Sequence, residues 1–464
     1  MNKYKRLVGN SVIFAIGNLG SKLMQFIMIP LYSYTLTTTE YGKVDFLTTV
    51  VSLLLPIFSL DIFDAVFRYA LDKDDNKQET LNTSLLFTLV ISLITIPIAI
   101  FLQAVIKDYP IIYTDLVLVS SMFFSLISNY ARAVNFIREF AIAGIINSIV
   151  MGGLNFILLF FMHLGMNGYL ISMASGMFAA LAYLVLACNF WKDFAVTYYK
   201  KQKLREMLKY STPLVPNLLA WWLNSTSDRA FILLFVGASA NGIYAMASKI
   251  PNILSTLMTI FLQSWQISVV EEYKNDEGKK FITNVFQVFL TAIFIIALGI
   301  LMFLKPIFHI LVSRSYYIGW KVAPFLLLSI IYSNIASFLG TIYTATKQTV
   351  PIMYTTVIGA IINVIFSVIL IPLMGINGAA IANIISFAVV SCLRFKDIIA
   401  SGKIMIDIKQ LVFLHILFIA CGFANIASQS FIVPIFVGII SLVLIAIFDR
   451  NFNQLCKIVI KKFQ

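Results

Sequence analysis

Residues 163–176 read HLGMNGYLISMASG, and residues 372–386 read PLMGINGAAIANIIS. Gly165, Asn167 and Gly168 of the first stretch match Gly375, Asn377 and Gly378 of the second, each 210 positions on. Each stretch opens an apolar run long enough to cross a bilayer. Just upstream, GGLNFILLFFMHLG parallels GAIINVIFSVILIPLMG and pairs Asn155 with Asn363. Further back, EYGKVDF parallels NGIYAMA at an offset near 200. A single Gly-Asn-Gly turn recurs by chance, whereas a collinear set with a shared offset marks a duplication.

A bilayer span takes about 20 mostly apolar residues. By that measure the chain holds fourteen runs: 8–34, 44–70, 81–106, 111–131, 141–164, 168–190, 210–236, 241–270, 281–304, 322–343, 350–373, 377–398, 408–427 and 430–449. The first six and the next six are the two copies. Six is even, so both copies enter the membrane from the same side and form parallel repeats. The expected organisation is a first lobe over 1–190, a basic linker over 191–209, a second lobe over 210–398, and two extra helices with a tail over 399–464.

Composition agrees with an all-α membrane protein. Hydrophobic residues make up 60% of the 464, charged residues 12%, and mean hydropathy is +0.91. Soluble domains carry about 25% charged residues. The net charge of +13, from 34 Lys and Arg against 21 Asp and Glu, would suggest nucleic acid in a soluble chain. Here it sorts by topology. With the N-terminus in the cytoplasm, 26 of the 34 fall on cytoplasmic segments. Five, namely Lys43, Lys107, Lys305, Arg314 and Lys321, fall outside, and Lys22, Arg229 and Lys249 lie within spans. The positive-inside rule therefore places both termini in the cytoplasm, and a nucleic-acid partner is not expected.

The four cysteines show neither disulfide nor metal spacing. No Gly-rich loop precedes Lys-Ser or Lys-Thr, so the chain carries no visible ATP engine. A duplicated bundle without an energy domain has the layout of a secondary transporter, with substrate bound between the halves. Neither an enzyme nor a cofactor is expected; the drive is either H+ or Na+ coupling or the membrane potential alone, and the sequence leaves these open.

Charges within spans are costly, so they mark wet cavities or partners. In the first span Asn18, Lys22 and Gln25 share a polar stripe that reads as cavity lining. In the second, SLDIFDAVFRYALDKDD (59–75) sets Asp61, Asp64 and Arg68 on one helix face. Asp64 and Arg68 have the i,i+4 spacing of an ion pair. In the seventh, Asn217, Trp221, Asn224 and Asp228 form one stripe beside Arg229. Trp221 either faces a cavity, where an indole suits a sugar ring, or packs against lipid and protein. In the eighth, Lys249 either lines a cavity or snorkels outward. Gln263 and Gln266 align with Asp61 and Asp64, so the first copy holds acids where the second holds amides. Asp61, Asp64 and Asp228 are the candidate ion-coupling acids.

The N-terminal NSVIFAIGNLGSKLMQFIMIPLYSYTLTTTEYGKVDF, the LDIFDAVFRYA of the second span, NGIYAMASKIPNIL of the eighth and the LGMNG/MGINGA repeat resemble bacterial polysaccharide-biosynthesis flippases. These belong to the multidrug/oligosaccharidyl-lipid/polysaccharide exporter superfamily. The resemblance covers almost the whole chain. It implies a V-shaped exporter fold of two six-helix lobes working by alternating access in the bacterial cytoplasmic membrane. It implies a substrate of undecaprenyl pyrophosphate bearing an oligosaccharide, carried from the inner to the outer leaflet for O-antigen, capsule or exopolysaccharide. Polysaccharide polymerase and glycosyltransferases would be its working partners. Basic residues of the first, second, seventh and eighth helices line a cationic cavity in such flippases. By helix and depth these map to Lys22, Arg68, Arg229 and Lys249. The rival readings are a multidrug cation antiporter of the same superfamily, a polysaccharide polymerase, and a lipid II or teichoic-type flippase. Three cations within spans argue against the first, and short outer loops against the second.

Overall fold

The structure is a computed structural model. It describes residues 24, 26–72, 75–272, 278–346, 348–400, 402, 404–405, 407–449 and 451–452, without the side chains of 196, 224–225, 264, 267, 270–272 and 349. Every regular element among them is helical. A helical stretch over 26–35 is followed by α1 (Thr38–Ser59), α2 (Ile62–Leu71), α3 (Lys77–Val105) and α4 (Ile111–Ala133). Then come α5 (Ile137–Asn155), continued by a π turn over Phe156–Phe161, α6 (Gly165–Ala187) and α7 (Lys201–Ser211). The chain divides into two compact units after Trp222, inside α8 (Val215–Phe235). The second unit holds α9 (Ala238–Lys249), α10 (Pro251–Glu272), α11 (Gly278–Met302), α12 (Leu304–Leu311) and α13 (Ala323–Ala345). It closes with α14 (Thr349–Met374), α15 (Ile376–Ala400), α16 (Ile408–Ala427) and α17 (Ile432–Phe448).

Ten helices among the described residues are long and apolar enough to span a membrane, and the α9–α10 pair, bent by 46°, makes an eleventh. Of the fourteen expected spans, the first lies largely outside the described residues. The seventh, α8, and the fourteenth, the 17-residue α17, stand outside that set of eleven. Helix α3 shows the polarity a membrane imposes. Its Thr80, Ser84, Thr88, Ser92 and Thr95 are buried, while Leu89, Leu93, Ile96 and Ile100 are exposed. Three of these buried hydroxyls, those of Ser84, Ser92 and Thr95, donate to carbonyls of their own helix, whereas those of Thr80 and Thr88 have no partner among the described residues. Ser84 donates to the Thr80 carbonyl at 2.7 Å and Ser92 to that of Thr88 at 2.8 Å.

The duplication is visible in the backbone. Gly165 and Gly375 both take positive φ, +54° and +59°, a conformation glycine adopts without a Cβ penalty. Three residues on, Gly168 and Gly378 bring the starts of α6 and α15 against the preceding helix. A Cβ would stand 3.3 Å from the Leu158 carbonyl oxygen at the first and 2.1 Å from that of Leu370 at the second. The close approach, more than the turn itself, demands glycine there. In the first unit α6 packs on α5 and α4, and α2 packs on α4; in the second α15 packs on α14 and α13, and α10 on α13.

The expected second span is interrupted. Leu60 and Asp61 take left-handed φ of 48° and 52°, so α1 ends at Ser59 and α2 begins at Ile62. Asp61 therefore stands at the N-cap position of α2, without a side-chain capping bond, and is buried where Asp64 and Arg68 are exposed. The Ser59 hydroxyl accepts the Asp61 N–H at 3.2 Å, satisfying a donor freed by the break. In the eighth span the interruption falls at Ile250–Pro251, because proline lacks an N–H and clashes with the preceding turn.

Gly378→Ala should lower the amount of folded protein sharply, since overpacking against a backbone carbonyl costs about 1–3 kcal/mol or more. Gly153→Ala, where a Cβ meets nothing within 4 Å, should leave it unchanged. Size-exclusion recovery of detergent-extracted protein measures both.

Candidate functional site

The second unit buries a carboxylate. Asp228 on α8 is 4% exposed. Its Oδ2 accepts the Tyr244 hydroxyl of α9 at 2.5 Å and the Asn383 amide of α15 at 3.1 Å. Its Oδ1 accepts the Arg229 backbone N–H at 2.9 Å. Asn383 also donates to the Tyr244 oxygen at 3.2 Å, and its own carbonyl accepts Asn363 of α14 at 2.6 Å. Ser227 reaches Asn363 at 3.5 Å. Four helices thus meet in one polar cluster, and Tyr244, Asn363 and Asn383 are all buried.

The three donors to Asp228 named above are neutral. Ionisable residues inside a membrane bundle mark functional sites by default.

The first unit has part of the corresponding scaffold among the described residues. Asn155, the repeat partner of Asn363, donates to the Tyr32 hydroxyl at 3.2 Å. Tyr32 lies 5.0 Å from Tyr169 and 6.1 Å from Tyr41, centroid to centroid. The repeated asparagine signalled the site in the sequence. Tyr244 and Asn383 carried no such signal, because their partner lies in another helix.

The remaining expected residues are distributed as follows. Asn18, Lys22 and Gln25 lie outside the described residues, as does the side chain of Asn224. Arg68 belongs to the first unit and is exposed, whereas Arg229 and Lys249 belong to the second and are partly buried. Asn217, Trp221, Gln263 and Gln266 are exposed. Asp64 is exposed too. Arg68 pairs with Asp72 at 3.6 Å, one turn further along α2, and not with Asp64 at the same spacing on the other side. Asp61 is 8% exposed, and its Oδ2 has no hydrogen-bond partner among the described residues. Trp222 donates its indole N–H to the Thr49 carbonyl at 3.2 Å and to Ser52 at 3.1 Å.

Residues 7–266 match the family described as polysaccharide biosynthesis protein. The chain belongs to that family. A curated relative, the probable low-salt glycan biosynthesis flippase Agl15 of Haloferax volcanii, is 28% identical over 250 residues. That match spans 51% of this chain and 52% of the relative, about half of each. Among solved structures, the lipid II flippase MurJ in an inward closed conformation superposes with a TM-score of 0.71 at 14% identity, covering 96% of this chain and 99% of MurJ. An inward-facing multidrug resistance MATE family transporter of the MOP superfamily gives 0.61 at 13% identity, covering 84% and 99%. At these identities the structural likeness shows a shared fold. The family member described here is therefore an all-α membrane protein with the exporter fold.

Tyr244→Phe removes the shortest donor to a buried carboxylate and should destabilise the folded protein by about 1–3 kcal/mol. Trp222→Phe removes hydrogen bonds from a partly exposed indole and should cost less. Thermal unfolding in detergent, followed by loss of monodisperse protein, ranks the two.

Proposed function

We propose that this protein flips undecaprenyl-pyrophosphate-linked oligosaccharide repeat units from the inner to the outer leaflet of a bacterial cytoplasmic membrane. Both termini are then cytoplasmic, and the product feeds a polysaccharide polymerase. The observation that carries this reading is membership of the polysaccharide biosynthesis family, joined to an exporter fold that covers 96% of the chain. The glycan flippase name of the Haloferax relative supports it.

The chemistry is consistent with that cargo. A pyrophosphate crossing a low-dielectric barrier needs fixed cations to replace its water. Lys22, Arg68, Arg229 and Lys249 are the residues proposed to supply them. Arginine binds phosphate through a planar fork and lysine as a point charge, so Arg229 is the stronger anchor. The isoprenoid tail stays in lipid while the headgroup passes. Alternating access of the two units is the proposed motion.

Asp228 and Asp61 are the proposed coupling acids, ahead of Asp64. Both are buried, whereas Asp64 is exposed. Binding H+ or Na+ at Asp228 would neutralise the carboxylate and loosen or tighten the α8–α9–α15 junction. Membrane potential adds a drive of about 2.3 kcal/mol per charge per 100 mV on an anionic cargo moving outward.

Deleting the gene should cause lipid-linked oligosaccharide to accumulate at the inner leaflet. Arg229→Glu should reproduce that accumulation with normal membrane levels of protein, and full export from this variant would overturn the assignment. Asp228→Asn should lower export at least tenfold and abolish its dependence on the ion gradient. A gain in drug tolerance on expression in an efflux-deleted host, without glycan accumulation in the deletion strain, would favour the multidrug antiporter instead.

A further inference from the structure

The first unit carries a recess of about 420 Å³ that none of the roles above uses. Its walls are Gln103, Lys107, Asp108, Tyr109, Tyr113 and Asn167, with Pro110, Ile112 and Met166 between them. The volume falls within the range of about 300–1,000 Å³ typical of small-molecule sites. The recess lies where the α3–α4 connection meets the first turn of α6. Asn167 is the central residue of the repeated Gly-x-Asn-Gly stretch.

Its frame is fixed by side chains already committed. The Gln103 amide donates to the Ile106 and Tyr109 carbonyls at 3.3 and 3.1 Å and accepts the Ile112 N–H at 3.3 Å, closing the turn. Lys43 donates to the Asp108 carbonyl at 3.2 Å and stands 5.0 Å from the Tyr109 ring centre. The Lys107 ammonium, Asp108 carboxylate, Tyr113 hydroxyl and Asn167 amide are not engaged by hydrogen bonds among the described residues.

That set selects a ligand class. One cation and one anion cancel, which disfavours a phosphate or a lipophilic cation. An aromatic ring beside an amide and a carboxylate suits the apolar face and vicinal hydroxyls of a neutral sugar. Position matters as well. The N-terminal end of α3 is tied to the basic segment, through Lys200 to Glu79 at 2.5 Å and Asn82 to the Asp193 carbonyl at 2.7 Å. The recess sits at the other end of this 29-residue helix, about 43 Å away at about 1.5 Å per residue. If the basic segment is cytoplasmic, the recess is on the outer face.

We infer that the recess is a saccharide-binding subsite that receives a sugar of the glycan as it emerges at the outer leaflet. This rests on the flippase reading above. A weak contact there would hold the headgroup on the outer side while the carrier resets, and would favour release over return.

The test uses the full-length protein in nanodiscs and free sugars as probes: glucose, galactose, rhamnose and N-acetylglucosamine, each at millimolar concentration. Saturation-transfer NMR should detect at least one of them. Tyr113→Ala and Asn167→Ala should each reduce that signal at least fivefold, Tyr113→Phe should retain most of it, and Gly153→Ala should leave it unchanged. No transfer from any sugar to folded wild-type protein, or transfer indifferent to both alanine variants, would overturn the subsite. Failure of the flippase reading would register separately, as a deletion strain that accumulates no lipid-linked oligosaccharide.

Discussion

Hydrocarbon offers no hydrogen bonds, and that constraint shapes every irregularity in this chain. A backbone group left open in lipid costs several kcal/mol, so helices run unbroken unless something local closes the gap. The two interruptions observe this rule in the same way. After Leu60 and Asp61, the chain restarts with the Asp64 N–H on the Asp61 carbonyl at 3.1 Å. After Pro251, the Ile253 N–H meets the Ile250 carbonyl at 3.1 Å. A single tight turn reopens each helix, and the Ser59 hydroxyl serves the one further donor at the first break. A break in a span therefore persists only where a neighbouring group completes it.

Duplication set the framework, and divergence set the chemistry. Both copies keep the glycine pairs that let the sixth helix of each repeat lie against the fifth. Both keep an asparagine on the fifth helix facing a polar partner. In the first copy that partner is a tyrosine within a cluster of rings. In the second it is an amide that leads to a carboxylate. The same backbone plan thus carries an aromatic junction in one unit and a carboxylate junction in the other.

Much of the architecture was legible in the sequence, for a physical reason. Apolar runs of bilayer length have few alternatives, so most helix ends fall within a few residues of the expected spans. The repeated Gly-x-Asn-Gly was legible because close helix approach tolerates no Cβ. The break at Leu60–Asp61 was not, since neither residue is glycine or proline and left-handed backbone leaves little trace in composition. The Asp64–Arg68 spacing misled for a different reason: both lie within α2, and Arg68 has a second acid at i,i+4, Asp72, which it takes instead. The Asp228 cluster was half legible. An acid in a span announces itself, but Asn383 is 155 positions away and is recognised only through folding.

The last two helices lie outside the duplication and show how apolar segments are attached in a solvent that is itself apolar. Lipid tails are as greasy as leucine, so burial gives α16 and α17 little reason to choose α11 over lipid. Close packing and polar ties make the choice. Gly438 of α17 lies against Met302, where a Cβ would stand 1.9 Å from the Met302 Cγ. At one end Gln410 donates to Thr291 at 2.9 Å and to Asp449 at 3.1 Å, and Thr291 donates to Asp449 at 2.5 Å. At the other, Asn425 reaches the Leu301 carbonyl at 3.0 Å. Lys305, buried beneath the Trp320 ring, donates to the Ser428 carbonyl at the α16 C-terminus, where helix carbonyls lack partners. Lys43 uses the same arrangement of a carbonyl and an aromatic face in the first unit. Two of the five lysines and arginines expected outside are thus structural ties.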